Sequence, residues 1–76
     1  MYQVDTRVVL LCDLSLYKTQ LSKTAEVKLQ KNQYATLVAS DDEEWVYIQS
    51  DVNGAGWLRI KEFPGYDMFI GLSNAD

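Results

Sequence analysis

The stretch Trp45-Val-Tyr-Ile-Gln-Ser-Asp-Val-Asn-Gly-Ala-Gly-Trp-Leu58 decides the fold class. Its first residues alternate, with Trp45, Tyr47 and Gln49 on one side and Val46 and Ile48 on the other, as a strand requires. Asn53-Gly54 is the strongest short hairpin signal, because both residues accept positive φ. Gly56 to Ile60 (GWLRI) then reads as the returning strand. Further upstream, Tyr34 to Ser40 (YATLVAS) is rich in strand formers, and Ala25-Glu-Val-Lys-Leu29 alternates cleanly. Arg7 to Cys12 (RVVLLC) is a β-branched and Leu run suited to a strand buried on both sides. Five short strands at roughly ten-residue spacing predict an all-β chain, a small antiparallel barrel or sandwich.

The breakers agree with this division. Gln30-Lys-Asn-Gln33 is a polar turn, Tyr17 to Thr24 a longer polar loop, and Asp41-Asp-Glu-Glu44 a run of acids unfit for a buried strand. A helix over Leu16 to Leu29 is the rival reading, but its apolar positions drift off any one helical stripe. Phe63-Pro64-Gly65 ends the regular region. Residues 1–65 are therefore expected to form the domain and 66–76 a C-terminal extension. Met68, Phe69, Ile70 and Leu72 in that extension suit either an edge strand or a frayed tail.

Composition narrows the function. The 76 residues are 47% apolar and 24% charged, a globular balance. Seven Lys and Arg against eleven Asp and Glu give a net charge of −4, which disfavours binding to a phosphate backbone. The chain has no histidine, which removes histidine-based catalysis and metal ligation, and its one cysteine removes a disulfide framework. Nothing approaches the 18 apolar residues of a membrane span, and no signal peptide is legible at the N-terminus. The charge divides unevenly: residues 1–33 carry five basic and three acidic side chains, residues 34–76 two and eight.

This order of parts resembles the bacterial type of Src-homology-3 domain. The residues that carry the likeness run from Leu14 to Phe63. Leu14-Ser-Leu16 stands where that family has a short Leu-Asn-Val strand before its long first loop. Val27-Lys-Leu-Gln-Lys-Asn32 is similar to the strand and Lys-Lys-Gly turn that follow, with Asn32 in place of the glycine. Trp45-Val-Tyr-Ile48 resembles the family's Trp-Tyr-x-Val strand, and Asn53-Gly-Ala-Gly-Trp-Leu58 its Asn-Gly-x-x-Gly-Trp-Val hairpin. The resemblance implies an all-β, five-stranded antiparallel Src-homology-3-like barrel with a short C-terminal extension. Tyr17-Lys-Thr-Gln20 replaces the family's Arg-x-Gly-Pro, and the eukaryotic Ala-Leu-Tyr-Asp-Tyr opening is absent. Gly-Trp-Leu-Arg59 also lacks the usual proline, so polyproline recognition is not expected.

If Val46 and Ile48 face the core, Trp45 and Tyr47 lie outside beside Trp57, and aromatics in such a patch supply contact area at small entropic cost. Trp45, Tyr47 and Trp57 are therefore the expected ligand-binding residues. Tyr17 extends the patch, and Tyr34 is a further candidate. Asp42 and Glu44 in the acidic run are expected to draw a cationic group towards it. The opposite reading makes these rings a structural cover and the acids a solvated loop tip.

Other candidates fall away. Asp51-Val-Asn-Gly54 has part of a calcium loop but lacks its first ligands and its closing glutamate. Cys12 next to Asp13 reads as an inert core thiol. No pair of carboxylates is spaced around a cleft. The expectation is a non-catalytic module without metal or cofactor that binds a peptide, a cell-wall component such as a peptidoglycan fragment, or a protein partner. Neither nucleic acid nor membrane insertion is expected. A structural or assembly domain within a longer chain or an oligomer is the alternative. A cell-envelope setting follows if the domain belongs to a larger bacterial protein, a cytoplasmic one otherwise.

Overall fold

The computed structural model describes residues 5–41, 43–52 and 54–62, and the backbone of 69–71. The described residues form β1 (Thr6–Leu10), β2 (Leu14–Leu16), β3 (Val27–Leu29), β4 (Tyr34–Ser40), β5 (Trp45–Ser50) and β6 (Ala55–Arg59). A 3-10 turn (Ile60–Glu62) follows, then β7 (Phe69–Gly71). All pairings are antiparallel. One sheet has the order β6-β5-β4-β1-β7, and β2 and β3 form a separate ribbon. The segment 16–29 that offered a helix is instead the end of β2, a loop and β3.

The all-β expectation stands, while the closed five-stranded barrel gives way to two sheets and additional strands. The extra strands are Leu14–Leu16 and Phe69–Gly71, the latter inside the expected extension and paired with β1. The ribbon strands have three residues each. They end before a ladder to the larger sheet can form. One bridge joins the sheets: the Tyr17 amide donates to the Trp57 carbonyl at 2.8 Å, and the Trp57 amide returns the bond at 2.7 Å. Gly56 makes this approach possible. A Cβ there would lie 2.8 Å from the Leu16 Cβ and 3.0 Å from the Tyr17 carbonyl oxygen.

The core lies between ribbon and sheet. It consists of Val8, Leu10, Leu14, Leu16, Leu29, Ala35, Leu37, Val46, Ile48 and Leu58. β1 is buried on one face only, since Arg7 and Val9 are half-buried, and Cys12 packs at the edge of the core. Between Leu37 and Ala39 the β4–β5 register shifts. Val38 is the extra residue of a bulge, which strengthens the local twist. Beyond it Ala39 opposes Tyr47 and Ser40 opposes Val46.

The turns follow from residue chemistry. Asn32 has φ 76°, a left-handed conformation that asparagine tolerates better than most residues. Asp13 steadies the same turn by accepting from the Lys31 amide at 2.8 Å. Gly54 has φ 91° in the β5–β6 hairpin, which the Ser50 amide closes on the Gly54 carbonyl at 2.8 Å. Among the described residues, no helix is long and apolar enough to cross a membrane.

Candidate aromatic recognition face

Strand alternation decides what β5 presents. Val46 and Ile48 are fully buried in the core, so Trp45 and Tyr47 point to the opposite face. On β6, Trp57 and Arg59 share that face, because Tyr47 pairs with Trp57 and Trp45 with Arg59 across the strands. The Tyr17–Trp57 bridge brings Tyr17 to the same place.

Four rings thus meet. Tyr17 stands edge-on to Trp45 with centroids 5.6 Å apart, and Trp45 stands edge-on to Trp57 at 6.5 Å. Tyr47 meets Trp57 at 4.9 Å. Such geometry suits the ring quadrupoles. The structure corrects one expectation: Trp45 is only 8% exposed. It lies on the outer face, as parity requires, but Tyr17 and Trp57 flank it and the Arg59 guanidinium sits 5.7 Å from its ring centroid. Tyr17, Tyr47 and Trp57 are half-buried. Trp45 is the floor of the face, and the other three rings are its solvent-accessible part.

The rim carries charge. Glu44 Oε2 accepts from Arg59 Nε at 3.1 Å and lies 3.0 Å from its Nη2, which holds the guanidinium over Trp45. The Tyr17 hydroxyl donates to Glu62 Oε2 at 2.6 Å. That bond, made by the neutral phenol to a carboxylate, raises the Tyr17 pKa above its ordinary value. Arg59 and Glu62 were not among the expected site residues. Arg59 follows from the register once Trp45 and Leu58 are placed, whereas Glu62 depends on the 3-10 turn.

Within the acidic run, Asp41 is engaged by its own loop and Glu44 by Arg59. Asp41 Oδ1 accepts from the amides of Glu43, Glu44 and Trp45 at 2.9, 2.8 and 3.0 Å. Glu44 is committed to Arg59, Glu43 is exposed, and Asp42 lies outside the described residues. Of the two acids expected to draw a cation, Glu44 is thus paired with Arg59. Tyr34 does not join the face. It is exposed at the far end of β4, near the bidentate pair that Arg7 makes with Asp51 at 2.7 and 2.8 Å. Among the described residues, no group of three or more Cys, Asp or Glu is placed to hold a metal ion.

The three amides hold the Asp41 carboxyl below the usual carboxylate range, with the Trp45 amide contributing most. These bonds favour the ionised form. The stability they contribute is therefore present above the unfolded value near ~4 and is lost as pH falls through the lower folded value. Asp51, held down by Arg7, acts in the same direction. The urea midpoint is expected to fall between about pH 6 and about pH 2, and to fall less in Asp41→Asn. An equal fall in both proteins contradicts the role given to Asp41.

Compared with known protein families, curated proteins and solved structures, the chain gives no match.

Proposed function

We propose that this chain is a non-catalytic binding module of the bacterial Src-homology-3 type. It recognises a short extended peptide, carried by a protein partner or by peptidoglycan, on the face formed by Tyr17, Tyr47 and Trp57. The observation that carries this reading is the cluster itself. Three half-buried rings stand on the outer face of β5 and β6, braced by a buried Trp45 and by two carboxylate-held groups, Arg59 and Tyr17. Rings fixed in advance lose little freedom on binding, and aromatic anchors dominate recognition surfaces. The strand order, the long loop between β2 and β3 and the Asn-Gly hairpin support the Src-homology-3-like reading of the fold, with the two sheets as an open form of the barrel.

The test is a heteronuclear shift titration of the labelled chain with soluble peptidoglycan stem peptides and, separately, a pool of extended peptides. Perturbations are expected at Tyr17, Tyr47 and the Trp57 indole, with smaller ones at Glu43 and Glu62. No response to either set at millimolar concentration, or shifts centred on Tyr34 and Arg7, would overturn the reading.

A further inference from the structure

We propose that the loop of residues 17–26 is an arm that docks on the aromatic face of a second copy of this chain. The product is a two-fold dimer in which each Leu21 covers the other copy's Tyr47 and Trp57. The inference rests on that face being a contact surface, as proposed above.

Leu21 is 93% exposed, and the turn that carries it is built rather than loose. The Ser22 amide donates to the Thr19 carbonyl at 3.2 Å, and the Thr19 amide to Ser22 Oγ at 3.2 Å. The two hydroxyls lie 3.0 Å apart, and the Leu21 amide donates to Thr19 Oγ1 at 3.2 Å. The root of the arm is fixed as well: the Glu26 amide bonds the Leu16 carbonyl at 3.0 Å, and Lys18 lies 3.4 Å from Glu26. A fixed turn that holds an apolar side chain in water loses little entropy when it docks.

Charge selects the occupant. Glu26 answers Lys18 within the arm, while Lys23 has no ion pair among the described residues. At the rim of the aromatic face Glu44 is paired with Arg59 and Glu62 accepts from the Tyr17 hydroxyl, while Glu43 is exposed in the loop just before β5. The arm is therefore basic with an apolar tip, and the face is aromatic with an acidic rim. Tyr17 is both the root of the arm and a member of the face. Arm and face are thus neighbours, and a two-fold axis lets two copies satisfy both contacts at once. Two small contacts make a weak dimer, formed between about 10 μM and about 1 mM.

Sedimentation velocity across that range is expected to show a concentration-dependent rise from the 8.7 kDa monomer to a dimer. Leu21→Ser, which leaves the core untouched, is expected to weaken association about tenfold or more with an unchanged far-ultraviolet spectrum. Lys23→Glu is expected to act in the same direction. A chain that stays monomeric near 1 mM, or a dimer indifferent to Leu21→Ser, overturns the proposal. Peptide titration of the unsubstituted and Leu21→Ser chains separates the two readings. An unsubstituted chain that stays monomeric at about 1 mM yet binds peptide at Trp57 overturns the dimer alone. A dimer lost in Leu21→Ser, with a face that takes no peptide, supports the dimer and overturns peptide recognition.

Discussion

Trp45→Ala is expected to destabilise the chain by about 3–5 kcal/mol, the cost of removing a large buried side chain and leaving a hole. For a domain this small, that is most of the folding free energy. Trp45 is only 8% exposed although it is not a member of the hydrophobic cluster between ribbon and sheet. Its removal strips Tyr17 and Trp57 of their shared edge-on partner and Arg59 of the ring beneath it. Trp57→Ala is expected to cost less, about 1–2 kcal/mol, because Trp57 is half-buried and much of its surface already meets water. Urea unfolding of the two variants followed by far-ultraviolet circular dichroism checks the order. Equal costs, or a larger one at Trp57, contradict the placement of Trp45 as the floor.

Gly56→Ala is expected to cost about 2–3 kcal/mol through overpacking. The added methyl would meet the Leu16 Cβ at 2.8 Å and the Tyr17 carbonyl oxygen at 3.0 Å. Neither is the far end of a flexible side chain, so the ribbon must move off β6 or β6 must bend. Either movement breaks the paired bonds between Tyr17 and Trp57 and pulls Tyr17 from the face. Native-state hydrogen exchange should therefore quicken at the Tyr17 and Trp57 amides more than at Ile48. Gly54→Ala provides the contrast, since open space surrounds it and only its φ of 91° resists a side chain, at about 1 kcal/mol. Unchanged exchange at Tyr17 in Gly56→Ala contradicts the docking of ribbon on sheet.

The hairpin of β5 and β6 was legible because alternation and Asn53-Gly54 point the same way. The placement of Val46 and Ile48 in the core followed from the same alternation. Alternation assigns a face, however, and says nothing about what covers it. Trp45 is buried by Tyr17, which is distant in sequence, and by the cross-strand Arg59. The bulge at Val38 left no trace, because Val38 and Ala39 are both apolar and an extra residue changes no pattern. β2 and β7 are too short to register as periodic segments. Counting charges treats carboxylates as free, whereas Asp41 is bound by the backbone of its own loop and Glu44 by Arg59. Arg59 and Glu62, which brace the face, become visible only after register and turn geometry are known.

In the aromatic face a shielded Trp45 lies beneath a more accessible Trp57. Acrylamide quenching of two single-tryptophan chains, Trp45→Phe and Trp57→Phe, tests this most directly. Steep quenching of Trp57 in the first chain and weak, blue-shifted emission from Trp45 in the second are predicted. Equal quenching of the two indoles, or a more accessible Trp45, would contradict a shielded Trp45 and remove the face on which the proposed recognition depends.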